Sequence, residues 1–534
     1  MAATPEDAQQ ERTTRVPALA VLCAVLFLTF LDNTVVSVAL ADIQTTLHAG
    51  VTQLQWVVDG YLLAFAALML GGGTLGDLLG RKRIMLAGVT LFCAGSIVAA
   101  LAPDSDVLIA GRVVMGIGAA GSEPGTLSII RHIYPGEATR ARALGAWTAI
   151  SGLALALGPI IGGVLVATVG WRGVFWFNVG FGIAAFAGAA ATLPESADPD
   201  GRRLDVPGLL LGALALSTAT FAVIEGESVG YGSWQVDVLF AVAVIALGLF
   251  IVFERRSSDP VLKLEFFRNR TFTAANAAAL ASSFGVFAVF FFTALYLQLI
   301  ANLSGWRIAL DFLGMAVAIV VAAIIAGRWT ARRGPREPLV TGCLLGGAGL
   351  FAVDAVLGPQ VDQAMLAGAL ALCGLGFGLA LVGATAAVLG IVPGKRSGMA
   401  ASTVNTARQL GGVLGVAILG SLVDGQLTAS LTHKLRALGI PPNFQAIVID
   451  AVTHGGLPTN PSSVHNPAAA GQQSLVAQVI RAAEDAFASG VHLCLLVAAL
   501  VLFGAAVVSL LARAPARTAR ATYRHGNRPF GAAA

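Results

Sequence analysis

The apolar positions of this chain are neither alternating nor spaced along one helical face; they come in long, nearly unbroken runs. Fourteen of them are about as long as the roughly 20 residues a helix needs to cross ~30 Å of hydrocarbon. They cover 16–41, 53–73, 84–102, 107–130, 141–168, 172–193, 205–224, 236–253, 272–299, 306–327, 338–357, 364–392, 399–423 and 488–512. Each predicts a helix, because lipid leaves no backbone group unpaired. The alternating ten-residue strands of a membrane barrel are absent from the pattern. The first run follows Arg12 and Arg15 and precedes Ala39-Leu40-Ala41, as a cleaved signal would, but it is too long for a signal core and contains Asp32. It predicts a retained span.

Composition agrees with the pattern. Of 534 residues, 56% are apolar and only 12% charged, against about 25% charged in soluble proteins. So few charges cannot cover the surface of a soluble fold of this size, so a polytopic, all-α membrane protein is expected. Cys23, Cys93, Cys343, Cys373 and Cys494 lie singly inside apolar runs, which suggests neither a disulfide framework nor a metal site.

The basic residues then orient the spans. Twenty-six of the 33 Lys and Arg fall on one side and five on the other, with Arg112 and Arg408 inside spans. The rich side reads as cytoplasmic, and an even number of spans puts both termini there. This asymmetry accounts for the net charge of +4 without a nucleic-acid partner. Residues 513–534 form a basic cytoplasmic tail. One outer segment, 424–487, is long and carries turn signals in its middle. Its last part, 474–488, reads as a solvated linker, with an amphipathic surface helix as the alternative.

An internal echo sets the domain organisation. Gly73-Thr74-Leu75-Gly76-Asp77-Leu78-Leu79-Gly80-Arg81-Lys82-Arg83 follows the second run, and Gly327 through Gly334 and Arg336 occupy the same place after the tenth. Two related six-helix bundles, 16–193 and 272–512, with two inserted helices at 205–253, produce that spacing. Duplicated halves enclosing a midplane site are a common plan of secondary transporters.

Several residues bring chemistry into the apolar runs. Asp32 in the first is a carboxylate able to take and release a proton. Arg112 in the fourth costs about 2.5–3.5 kcal/mol on insertion scales and so requires a cavity or an acid; Asp32 is an available partner, which leaves a permanently paired structural Asp as the alternative to a transport role. Asp77 stands one turn before Arg81 at a helix end, where such charges can pair with a neighbouring helix. Gly158, Pro159, Gly162 and Gly163 in the fifth run leave a groove for close helix approach, and Pro159 removes one helical hydrogen bond.

These motifs together resemble the major facilitator superfamily. The Gly73–Arg83 loop is similar to its G-x-L-x-D-r-x-G-r-k motif, which implies a conformational latch involving Gly73, Asp77, Gly80 and Arg81. In the second half Ala331 replaces the acid. Arg112 resembles the family's fourth-helix arginine, although Met115 stands where Gln is common. Gly158-Pro159-Ile160-Ile161-Gly162-Gly163 resembles the motif of its antiporters, which implies export. Leu31-Asp32-Asn33-Thr34, Gln55-Trp56, Tyr61, Trp171-Arg172, Asn178, the run 264–272 and Asn405 through Gly412 extend the resemblance to the fourteen-span drug:proton antiporter branch. The 424–487 segment has no counterpart in it.

Glu123, Asp59 and Asp311 depart from that pattern. Each is a second proton or cation group or a helix-end charge, Glu123 lying three turns from Arg112 on one face. Phe284, Phe287 and Phe291 read as lipid-facing packing, with an aromatic wall for planar cations as the alternative. Asn405, Arg408 and Gln409 are further candidate pocket residues. Gly116-Ile117-Gly118-Ala119-Ala120-Gly121 fits G-x-G-x-x-G but follows no strand, and Gly390–Ser397 departs from a phosphate-binding loop. No enzyme, metal or cofactor constellation is expected. The expectation is a proton-coupled exporter of lipophilic, mainly cationic compounds, with Asp32, Arg112, Glu123, Asp59 and Asp311 as coupling candidates. Its alternatives are a dedicated exporter of one antibiotic or metabolite, and a non-transporting receptor or scaffold.

Overall fold

A computed structural model describes residues 5–49, 51–197, 205–301, 303, 305–358, 361–445 and 470–511. Arg202, Arg203, the 513–534 tail and the middle of the 424–487 segment lie outside the described residues. No strand occurs among those described. Fourteen long helices account for nearly all of the described residues. They are α1 (Pro5–Leu47), α2 (Val51–Leu79), α3 (Arg81–Ala100), α4 (Ser105–Ile133), α5 (Glu137–Val169), α6 (Arg172–Thr192), α7 (Val206–Val229) and α8 (Trp234–Arg256). The rest are α9 (Arg270–Leu299, with a π-helical turn at Val289–Thr293), α10 (Gly305–Arg333), α11 (Arg336–Val356), α12 (Gln363–Ile391), α13 (Ser397–Ala437) and α14 (Ala470–Leu511). Thirteen are long and apolar enough along their described residues to cross a membrane, by length and composition. The 33-residue α5 is the fourteenth long helix.

Polar caps fix the helix starts where the sequence leaves an apolar run. Asp104 accepts the Val107 N–H at 2.9 Å, Asp205 accepts that of Gly208 at 2.9 Å, and Asp362 accepts that of Ala364 at 2.9 Å. Each side-chain oxygen satisfies one of the backbone donors that a helix N-terminus leaves free. Gly80 and Gly334, the second glycines of the echo, both turn the chain at positive φ, +114° and +90°. A side chain would be strained at either place, so the repeat is one of backbone geometry as well as of letters.

The packing repeats with a shift of eight helices. α1 lies against α4, α5 and α6, α2 against α4, and α3 against α4 and α6. Correspondingly, α9 lies against α12, α13 and α14, α10 against α12, and α11 against α12 and α14. Four contacts join the sets, α2 with α13, α5 with α10, α4 with α13 and α5 with α12; the shift exchanges the first two with each other, and likewise the last two. The fold is therefore two pseudo-symmetric six-helix bundles. The extra pair, α7 and α8, packs together, and α7 rests on α2, where Leu209 lies against Gly71 and Phe221 against Trp56.

Close approach within each bundle depends on glycine. The Gly88 and Gly95 faces of α3 meet Gly118 and Gly111 of α4 with no room for a Cβ, and Gly116 lies against the Tyr61 carbonyl of α2. The G-x-G-x-x-G string is thus used in helix packing.

One expectation is corrected. Residues 474–488 form neither a solvated linker nor a separate surface helix; they are the first turns of α14, which is 42 residues long. The reason is an apolar seam. Leu427, Leu431 and Leu435 of α13 are buried at one-turn intervals, and Ala482, Ala483 and Ala486 of α14 are buried as well. Lys434 pairs with Asp485 at 3.0 Å across them. Burying that seam holds both helices beyond their apolar spans.

Candidate functional site

Two buried acid–arginine arrangements lie at different depths along α4. The first joins α1, α4 and α6. Asp32 and Arg112 are both fully buried and pair directly through Oδ2 and Nη1. Asn178 of α6 donates its Nδ2–H to Asp32 Oδ1 at 2.7 Å. Arg112 donates its Nε–H to the Val57 carbonyl at 2.8 Å, and its guanidinium lies 4.4 Å from the Tyr61 ring centroid. Tyr61 is held in turn by donating its O–H to the Thr29 carbonyl at 3.2 Å. Met115, where the resemblance favours Gln, presents its sulfur to Arg112 at 4.0 Å. Both oxygens of Asp32 are occupied. A buried pair needs such complete satisfaction to offset desolvation.

The second arrangement crosses between the bundles. Glu123 lies eleven residues after Arg112 on α4, about 16 Å further along the helix. Its Oε1 is 4.0 Å from Arg408 Nη1 of α13. Neither oxygen of Glu123 receives a hydrogen bond, and Arg408 Nε finds no acceptor. The Arg408 guanidinium lies near two rings, 5.3 Å from the centroid of Phe30 and 5.5 Å from that of Trp147, and donates to Asn405 Oδ1 at 3.3 Å. Trp147 is anchored to α4, donating its Nε1–H to Thr126 Oγ1 at 2.9 Å.

A third cluster closes the end that carries the basic loops. Asp77 is buried and accepts the N–H groups of Gly398 at 2.9 Å and Met399 at 3.1 Å, in the first turn of α13. It also accepts Arg81 Nε–H at 2.9 Å, and Arg81 Nη2 donates to the Gly394 carbonyl at 3.1 Å. Arg131 of α4 donates to the Leu389 carbonyl of α12. Gly73 meets Gly398 backbone to backbone, and Gly327 meets Gly145 in the same way at the α5–α10 contact. The first glycine of each echo therefore sits at an inter-bundle contact. Four residues after these glycines α2 has Asp77, whereas α10 has Ala331.

Other candidates separate. Gly158 abuts Thr34 and Gly162 abuts Val35 on α1, whereas Gly163 has nothing within 4 Å; two glycines of the motif hold α1 and the third does not. Asp59 is half-buried on α2. Asp311 is buried on α10, its Oδ2 without a partner. Neither acid has a charged partner within 4 Å among the described residues. Phe284 and Phe287 pack on Gly415 and Gly412 of α13, while Phe291 is 48% exposed on the outside of the bundle. The three rings do not form one wall, because the π-helical turn beginning at Val289 shifts the register between them. Asn405 and Arg408 belong to the second cluster. Gln409 is half-buried beside them in sequence, without a side-chain hydrogen bond among those described.

The roles of Asn178, Phe30 and Trp147 were not anticipated. Asn178 carried a signal, a lone amide inside an apolar run. The two rings carried none, since an aromatic residue in a membrane helix is ordinary.

Comparison with known proteins agrees with this geometry. Residues 22–416 match the family model described as Major Facilitator Superfamily. The chain is 33% identical over 481 residues to "Multidrug resistance protein Stp" of Mycobacterium tuberculosis, covering 89% of this chain and 87% of that protein. It is 31% identical to "Tetracenomycin C resistance and export protein" of Streptomyces glaucescens, covering 93% and 91%. Among solved structures, the human organic anion transporter MFSD10 superposes with a TM-score of 0.56 at 14% identity, over 94% of this chain and 100% of that one.

Proposed function

We propose that this chain, which belongs to the Major Facilitator Superfamily, exports small lipophilic compounds across the plasma membrane by alternating access, driven by re-entering protons. The basic loops support a cytoplasmic placement of both termini. The bundles at 16–193 and 272–512 would move as the two rocking bodies, with 205–253 riding on α2. The names of relatives, multidrug resistance in one case and resistance and export in another, favour export of toxic small molecules.

The observation that carries the proton coupling is the pairing of buried carboxylates with arginines. Glu123 attracts Arg408 across the bundle interface only while it is charged. A proton arriving there removes an attraction that favours this arrangement, so proton binding and bundle movement are linked by construction. Asp32 is the second coupling acid, and its protonation would release Arg112 within one bundle. Cationic substrates require either acid to be freed from its arginine. Asp77 and Arg81 act as the latch of the cytoplasm-closed state. One proton carries about 2.3 kcal/mol per 100 mV, which at about 1.4 kcal/mol per decade supports roughly a fifty-fold gradient of a neutral substrate.

The second reading, a dedicated exporter of one antibiotic, is favoured by the tetracenomycin C relative, which matches nearly full length. Both readings face one experiment: ethidium and an antibiotic panel presented to energised, pump-deficient bacteria expressing the chain, with a protonophore control and Asp32→Asn and Glu123→Gln alongside. Protonophore-sensitive efflux of several chemical classes, lost in the variants, supports the multidrug antiporter. Efflux of one class supports the dedicated exporter. Efflux that persists after the proton gradient collapses contradicts both.

A further inference from the structure

The two acid–arginine pairs share their chemistry and differ in completeness. Around Asp32 each carboxylate oxygen and the arginine Nε have a partner at normal hydrogen-bond distance or closer. Around Glu123, with 1% of its surface exposed, the ion pair with Arg408 is 4.0 Å long and both oxygens lack a hydrogen bond, as do Arg408 Nε and Asn405 Nδ2. Leaving such groups buried and unpaired is costly, and most buried polar groups in folded proteins have partners. The open positions are two acceptors and two donors, flanked by the rings of Phe30 and Trp147. They come from α1, α4, α5 and α13, so the set is complete only where the bundles meet.

Charge narrows the occupant further. Glu123 and Arg408 are one negative and one positive group, and the other residues named are neutral. The cluster carries no net charge. A permanent cation would gain Glu123 but face Arg408 at the same distance, whereas an uncharged group with a donor beside an acceptor satisfies both. We propose that the Glu123–Arg408 gap binds flat ring compounds that are neutral or zwitterionic and carry a hydrogen-bond donor next to an acceptor. The donor goes to a Glu123 oxygen, the acceptor takes Arg408 Nε–H or Asn405 Nδ2–H, and the ring lies against Trp147 or Phe30. This rests on the reading of the chain as an exporter and replaces cations with this class at that site.

Three compounds on one ring system separate the possibilities: phenanthridin-6(5H)-one, whose lactam places N–H beside C=O; its N-methyl derivative, which keeps only the acceptor; and 5-methylphenanthridinium, a permanent cation. Their affinities for the purified full-length chain in lipid nanodiscs are measured by calorimetric titration, with empty nanodiscs as the blank. No proton gradient is present, so the result is independent of whether export is proton-driven. The wild type should bind the lactam at least about tenfold tighter than either analogue, as expected for a lost hydrogen bond to a charged group. Arg408→Gln removes the opposing charge and should invert the order, with the cation binding tightest. The doubly neutral Glu123→Gln/Arg408→Gln should not gain the cation. Wild-type protein that binds the cation or the N-methyl compound as tightly as the lactam overturns the proposal without use of any variant. An order unchanged in a monodisperse Arg408→Gln preparation overturns it as well.

Discussion

Replacing Asp77 with Asn alters the inter-bundle contact by a single atom, so its consequence can be worked from the geometry. The Asp77 carboxylate accepts two N–H groups of the first turn of α13, at 2.9 and 3.1 Å. Hydrogen bonds to a charged acceptor contribute about 1.5–3 kcal/mol each, and a negative charge at a helix N-terminus about 0.3–1 kcal/mol more. Asparagine retains one acceptor, presents an N–H₂ group to the other donor, and leaves the buried Arg81 without its partner. A loss of roughly 2–4 kcal/mol follows, confined to the arrangement in which α2 and α13 meet. At about 1.4 kcal/mol per decade this shifts the equilibrium between closed and open forms by roughly thirty-fold to several hundred-fold. Spin labels at Leu79→Cys on α2 and Gly390→Cys on α12, in a Cys93→Ser background, report the separation of the bundles at that end. Leu79 is 56% exposed and Gly390 faces open space. The wild type should give a dominant short distance, and Asp77→Asn a substantial long component. Superimposable distributions would refute the argument that this carboxylate holds the contact.

Other outcomes follow from the same contacts. Asp32→Asn leaves Arg112 buried without its counter-charge, a loss of about 3–5 kcal/mol, so the thermal midpoint in detergent should fall clearly, with Asp32→Asn/Arg112→Gln recovering part of it; an unchanged midpoint in the single variant would contradict the pairing. Gly158→Ala drives a methyl group into Thr34 at a cost of about 1–3 kcal/mol, while Gly163→Ala meets nothing within 4 Å and should leave stability and efflux within measurement error. Equal effects of the two would mean that the motif does not act through α1. Glu123→Gln should flatten the dependence of efflux on external pH, since its side chain no longer gains or loses charge; a wild-type pH profile in this variant would remove Glu123 from the coupling.

Much of the fold was legible because lipid permits few backbone solutions, so apolar run length alone marks a helix. The echo at Gly73 and Gly327 was readable as a repeat, and its glycines lie at the two equivalent contacts between bundles. Asp32 and Arg112 were identifiable as mutual partners because a charge inside lipid needs one. The pairing of Glu123 with Arg408 was not, since it joins different bundles and no local spacing encodes it. The extensions of α13 and α14 were obscured for another reason. The seam at Leu427, Leu431 and Leu435 was present in the sequence, but the Gly, Pro and Asn signals of 455–466 favoured a linker over a helix at 474–488. The aromatic run at 284–291 divides, with Phe284 and Phe287 packed on α13 and Phe291 exposed, because a π-helical turn interrupts its regular spacing.

The central claim, export coupled to protons moving the other way, is tested most directly in proteoliposomes holding the purified chain and a trapped pH dye. Adding a transported compound on one side should move protons to that side, at a rate that saturates with the compound and disappears in Glu123→Gln and Asp32→Asn. Compound movement with no change in the dye signal, by protein shown to be inserted and monodisperse, would contradict it.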